Sequence, residues 1–114
     1  MSISKIDIII PVYNRAHLIM DTLRSIQCQS FKDWNCFLID DGSEDNLEEV
    51  VGEFIQIDNR FHFFKRPPDR RKGANACRNF GFEKSTSPFV YWFDSDDLLK
   101  PNALETYIHA FHPS

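Results

Sequence analysis

The chain has 114 residues, 42% of them hydrophobic and 26% charged, with eleven phenylalanines, six prolines and four glycines. That is the length and makeup of one domain with one core, and it excludes a disordered segment, which would carry few aromatics. Thirteen basic against seventeen acidic residues leave a formal charge of −4, which argues against a general nucleic-acid binder because that role needs a basic footprint.

The opening residues Met1-Ser2-Ile3-Ser4-Lys5 lack the apolar stretch of a signal peptide. The longest apolar runs, Ile8–Val12 and Phe89–Phe93, fall far short of the roughly 20 residues a membrane helix needs, so no transmembrane segment is expected in this chain. Lys5–Val12 reads as a strand buried on both faces, because Ile6, Ile8, Ile9, Ile10 and Val12 form a nearly continuous β-branched run. Pro11 removes a ladder donor and should finish it. Ala16, Ile19, Met20, Leu23 and Ile26 then recur with helical spacing, with Asn14 as the expected cap. Trp34–Ile39 is a second apolar run, stopped by Asp40-Asp41-Gly42-Ser43.

Asp45-Asn46-Leu47-Glu48 has capping-box spacing, and Leu47, Val50, Val51, Phe54 and Ile55 carry a second helical stripe through Gly52. Arg60–Lys65 is a short third strand. Arg66–Gly73 is a polar loop with two prolines, and a helix should run from Ala74 towards Lys84. Phe89–Phe93 is a fourth apolar strand, ended by Asp94-Ser95-Asp96-Asp97. Pro101 suits a first helical position, Leu104, Tyr107, Ile108 and Phe111 form the last stripe, and His112-Pro113-Ser114 stops it.

Strand and helix thus alternate four times. This pattern predicts an α/β protein with an open parallel sheet, helices on both faces and strand order 3-2-1-4. Ligands of such sheets bind beyond the carboxyl ends of the strands. Five carboxylates, Asp40, Asp41, Asp94, Asp96 and Asp97, follow strands 2 and 4 and should share that rim. Unpaired, they would repel one another. A divalent cation held by oxygen ligands, Mg2+ or Mn2+, would relieve this. Helix capping alone is the competing reading for Asp40-Asp41, and it is weaker still after strand 4, where three aspartates exceed the needs of one cap. The four glycines, Gly42, Gly52, Gly73 and Gly81, make neither a P-loop nor a dinucleotide fingerprint.

Ile8-Ile9-Ile10-Pro11-Val12-Tyr13-Asn14-Arg15, Ile39-Asp40-Asp41-Gly42-Ser43, Ala76-Cys77-Arg78-Asn79-Phe80-Gly81 and Phe93-Asp94-Ser95-Asp96-Asp97 together resemble the family 2 glycosyltransferases, in family order and spacing. The resemblance implies an inverting enzyme with a Rossmann-like GT-A fold, here a truncated one. It places Pro11 and Tyr13 along the nucleobase pocket and Asp41 as acceptor of a base ring N–H. Asp94, Asp96 and Asp97 match the D-x-D region for ribose and the metal–diphosphate, with Asp96 and Asp97 as the metal candidates. Arg78 and Asn79 match a donor-side A-R-N segment, in which Cys77 stands where alanine is usual.

The implied substrate is a nucleotide-diphosphate sugar. A uridine diphosphate sugar is favoured, although guanine and thymine also offer a ring N–H. The implied acceptor is a saccharide or a lipid-linked molecule. The general base lies further along the chain in the family, so residues 1–114 are expected to be the donor-binding part, inactive alone and prone to self-association.

Two other readings compete. A nucleotidyltransferase would want a glycine- and lysine-rich loop after strand 1, where Pro11-Val12-Tyr13-Asn14 stands. A phospho-accepting receiver module would want its acidic pair after strand 1, whereas the pair here follows strand 2. Five of the thirteen basic residues, Lys65, Arg66, Arg70, Arg71 and Lys72, fall in one stretch, expected to be a solvated loop. His17, His62, His109 and His112 show no ligand spacing. Trp34 and Trp92 are expected in the core, and Cys28, Cys36 and Cys77 as small apolar packers in a reducing cytoplasm, or at its face of the membrane.

Overall fold

β-Branched isoleucine favours the pleated backbone and fills space on both sides of a sheet. The run beginning at Ile6 does both: Ile6, Ile8, Ile9 and Ile10 have no exposed surface in strand β1 (Ile6–Val12). The structure, a computed structural model, describes residues 6–111. The expected strand start at Lys5, the leader reading of Met1–Lys5 and the stop at His112-Pro113-Ser114 lie outside them.

The remaining elements follow in alternation: α1 (Ala16–Gln27), β2 (Trp34–Asp40), α2 (Leu47–Ile57), β3 (Phe61–Lys65), α3 (Ala74–Lys84), β4 (Phe89–Trp92) and α4 (Ala103–Phe111). The sheet order is β3-β2-β1-β4, all parallel, as the alternation predicts. Register sets Ile6 beside Trp34 and Phe89, and Val12 beside Asp40. Strand β1 therefore runs past Pro11 to Val12.

Side chains alternate across β1. Ile6, Ile8, Ile10 and Val12 enter the larger core with α1, α2 and α4, while Ile9 joins Phe37, Ile39 and Cys77 under α3. Asp7 shares this second face and is buried. Its carboxylate accepts hydrogen bonds from the Ser85 hydroxyl at 2.6 Å, the Ser87 hydroxyl at 2.8 Å, and the Thr86 and Ser87 amides at 3.1 and 3.2 Å. One carboxylate thereby ties the α3–β4 connection to the start of β1.

Several expectations need correction. Met20 is 37% exposed, because the apolar stripe of α1 is narrower than its spacing implies. Trp34 is buried in the core, 5.3 Å edge-on from Phe61, but Trp92 is 49% exposed on the edge strand β4, stacked on Phe82. Cys36 and Cys77 are buried, whereas Cys28 is exposed just beyond α1. Helix α4 begins at Ala103, and Pro101-Asn102 forms a turn before it. Pro101 is drawn aside because its carbonyl accepts the Ser30 amide at 2.8 Å.

Two glycines make opposite demands. A Cβ built at Gly81 would stand 2.6 Å from Ile9 Cγ2, a stiff branched methyl, so α3 approaches β1 only where no side chain intervenes. A Cβ at Gly52 in α2 meets nothing within 4 Å. Gly81→Ala should therefore destabilise by about 1–3 kcal/mol through overpacking. Gly52→Ala should stabilise by roughly 0.5–1 kcal/mol through helix propensity. Thermal unfolding of the two variants should move in opposite directions.

Candidate functional site

The carboxyl ends of β1 and β2 are laced together. The Asp41 amide donates to the Val12 carbonyl at 2.9 Å, and Asp40 accepts the Ser43 amide at 2.9 Å. Asn14 stands in the left-handed region at φ 51°, donates its amide to the Ser43 hydroxyl, and accepts the Glu44 amide on its side chain at 2.8 Å. Asn14 is thus a loop clasp and not the cap of α1. That task falls to Asp45, which accepts the Ala16 amide at 3.0 Å from across the rim and the Leu47 amide at 3.2 Å. Glu48 does not close the expected capping box and instead pairs with Lys65 at 3.0 Å.

Asp41 is buried, and both of its N–H partners converge on Oδ1: Arg66 Nε at 2.5 Å and the Gly73 amide at 3.2 Å. Arg66 also donates to the Pro67 and Arg70 carbonyls. The loop expected to be solvated is therefore fastened at one end, with the Arg66 side chain only 15% exposed. Further along, Lys72 Nζ lies 3.8 Å over the exposed ring of Tyr13, and Arg70 pairs with Glu83 at 2.6 Å. The Cys77 thiol lies against Asp41. Burial first, and then that neighbouring carboxylate, push it up to about 12, so it stays protonated and adds no second anion.

On the other side of β1 stands the loop after β4. Its Asp94 faces Arg78 of α3 at 3.8 Å across solvent-exposed surface. Arg78, Trp92, Phe93, Asp94 and Asp97 line an open cavity of about 480 Å³. Asn79, next to Arg78, belongs instead to a cavity of about 440 Å³ with Arg71, Lys72 and Asn75. Pro11 sits in the ladder beside Ile39.

The five rim aspartates do not form the self-repelling cluster expected from the sequence. Asp40 and Asp41 point into their own N–H donors, and Asp94 faces a guanidinium. Among the described residues no three His, Cys, Asp or Glu side chains are grouped to hold an ion. Magnesium bound with nucleotide phosphates needs only one or two carboxylates, and the exposed Asp96 and Asp97 are hard donors suited to that task.

The seat of this acidic loop escaped the sequence reading. Thr22, Ser25 and Gln29 follow one another along the inner side of α1 and just past its end. The Thr22 hydroxyl lies 2.8 Å from the Asp97 carbonyl and 3.0 Å from that of Ser95. The Ser25 hydroxyl accepts the Leu99 amide at 3.1 Å. Gln29 is fully buried: its amide donates to the Lys100 carbonyl at 2.6 Å and its oxygen accepts the Leu104 amide at 3.0 Å. The signal was present as hydroxyl and amide residues interrupting an apolar stripe at i, i+3 and i+7.

An open parallel sheet with functional loops gathered at its carboxyl edge is the architecture of a nucleotide-binding α/β domain. The sequence model of glycosyl transferase family 2 matches residues 7–113, and the chain belongs to that family. It is 33% identical over 115 residues to the GalNAc(5)-diNAcBac-PP-undecaprenol β-1,3-glucosyltransferase of Campylobacter jejuni, covering 94% of this chain and 37% of that protein. The fold matches S. aureus TarS with a TM-score of 0.85 at 23% identity, covering 96% of this chain and 20% of TarS. TarS 1–349 in complex with UDP-GlcNAc matches with a TM-score of 0.78 at 25% identity over 94% of this chain and 30% of that one. The mannosyltransferase PcManGT of Pyrobaculum calidifontis, in complex with GDP-Man and Mn2+, matches with a TM-score of 0.75 at 24% identity, over 87% and 29%. The chain thus has the GT-A fold and spans well under half the length of these proteins.

Gln29→Leu should orphan the Lys100 carbonyl and the Leu104 amide, each at about 1–3 kcal/mol. The variant should melt lower, and hydrogen exchange should rise first at residues 99–104.

Proposed function

We propose that residues 1–114 are the donor-binding part of a glycosyltransferase that moves a sugar from a nucleotide diphosphate to an acceptor with inversion and with the help of a divalent metal. The observation that carries this reading lies at one edge of the sheet. A buried acceptor carboxylate, Asp41, and an exposed acidic loop, Asp94–Asp97, flank β1 there, in a chain of this family.

Each side has its own task. Tyr13 offers a ring face and Asp41 an acceptor for a nucleobase with a ring N–H, uracil first. Arg78 and Asn79 lie on the donor side of α3. Asp94 and Asp96 meet ribose and diphosphate, and Asp96 and Asp97 hold Mn2+ or Mg2+. The metal supplies charge neutralisation for the departing diphosphate. The C. jejuni relative acts on a polyprenol-linked glycan, which supports a saccharide or lipid-linked acceptor, and the TarS complex supports a UDP-sugar. No described helix is long and apolar enough to cross a membrane, and the reading places the domain in the cytoplasm or at the membrane's inner face.

Calorimetry with UDP tests the site. Binding should require Mn2+ or Mg2+, and equal affinity in chelator would remove the metal role. Asp41→Asn keeps one oxygen for Arg66 and Gly73 but loses a charge-assisted bond, so UDP affinity should fall by ~1.5–3 kcal/mol with the fold retained.

Residues 1–114 span well under half the length of these relatives and should not transfer sugar by themselves; a general base typically contributes about 10²–10⁴-fold. Exposed Phe82, Trp92, Leu98 and Phe111 lie on or beside edge strand β4 and in α4, and should support self-association. Nucleotide release should be negligible beside that of a longer chain of its relatives' full length, and the sedimentation coefficient should rise with concentration.

A further inference from the structure

We infer that Lys72 makes the site favour a phosphorylated nucleotide over the bare nucleoside, by covering the ring of Tyr13 until an anion draws it away; this rests on the reading of Tyr13 as the face for the nucleobase. Lys72 Nζ lies 3.8 Å from the centre of that ring, well inside the limit of about 6 Å for a cation–π contact. A base stacked on the same face would take the same space, so the ammonium must leave as the base arrives.

The contact closes a circuit around Asp41. The Gly73 amide donates to Asp41 Oδ1 at 3.2 Å, and the Asp41 amide donates to the Val12 carbonyl at 2.9 Å. Lys72 precedes Gly73 and Tyr13 follows Val12. Lys72 therefore meets Tyr13 at the same short stretch of rim that carries the Asp41 carboxylate. It also lines the cavity of about 440 Å³ that Arg71, Asn75 and Asn79 share.

The hold on the ring is light. Lys65, Arg66 and Arg70, from the same basic stretch, pair with Glu48, Asp41 and Glu83. Among the described residues Lys72 has no such carboxylate, and an exposed cation–π contact amounts to about two- to fivefold in an equilibrium constant. A neutral nucleoside displaces the ammonium and leaves it only water. A nucleotide brings phosphate oxygens one ribose away from its base. The flexible four-carbon stem of lysine lets the ammonium turn from ring to phosphate, while the Gly73–Asp41 hydrogen bond keeps the backbone in place. Lys72 thus responds to the charge of the ligand, and Asp41 to its base.

The experiment titrates the 114-residue chain with uridine and with UDP in Mg2+, followed by NMR, with melting curves to confirm folding. In the free chain the side-chain methylene protons of Lys72 should carry the upfield shift of a group above an aromatic face, and UDP should abolish it. Lys72→Ala should bind uridine about two- to fivefold more tightly than the native chain does. Its preference for UDP over uridine should fall about tenfold, the effect of one charged hydrogen bond. In a Tyr13→Leu background the same substitution should no longer tighten uridine binding. Lys72→Arg, whose guanidinium also covers a ring and binds phosphate, should keep the native preference.

Uridine bound no more tightly by folded Lys72→Ala than by the native chain, or an unchanged preference for UDP, would overturn this role; with Tyr13→Leu still weakening UDP, the nucleotide site would stand. UDP binding untouched by both Tyr13→Leu and Asp41→Asn would overturn the base site itself, and this inference with it.

Discussion

Strand β1 has no face left for water. Its isoleucines pack against α1, α2 and α4 on one side and against α3 on the other, and it is hydrogen-bonded to β2 and β4 at its two edges. A strand so enclosed can offer chemistry only at an end. Because every strand is parallel, all their carboxyl ends fall on the same side. Tyr13, Asp41 and the Asp94–Asp97 loop meet there because the interior of the sheet excludes them.

Polar groups beneath that edge are placed by matched partners. Asp7, Asp40, Asp41, Thr22 and Gln29 are all buried, and each has hydrogen-bond partners. An orphaned group in any of these places would cost about 1–3 kcal/mol, so each connection has one strongly preferred seat. Gln29 and Thr22 hold the acidic loop by its backbone. The aspartate side chains of that loop are thereby left exposed, Asp94 opposite Arg78. A buried ion pair such as Asp41–Arg66 adds little net stability, because desolvation offsets its attraction. Its effect is orientation, because Arg66 Nε and the Gly73 amide both hold Oδ1.

Much of this was legible in the sequence. The β-branched runs and the helical stripes determined the alternation, and the handedness of parallel crossovers then led to the order β3-β2-β1-β4. Four short motifs identified the rim, because residues directly after parallel strands share one edge whatever the details of packing. Local patterns have this power where one element's periodicity decides the outcome.

Tertiary structure decided the partners. Asn14 had the chemistry of a cap, but the cap of α1 came from Asp45, 29 positions beyond Ala16. A basic loop expected to be solvated placed Arg66 against Asp41, 25 positions away. Trp92 lay in an apolar run yet stayed half exposed, because β4 is an edge strand. The sequence by itself determined which elements form and which edge the motif residues share, since both follow from spacing along the chain. Only the folded chain decided which donor meets which acceptor, because hydrogen-bond partners are selected by proximity in space and side chains of the same type satisfy a local pattern equally well.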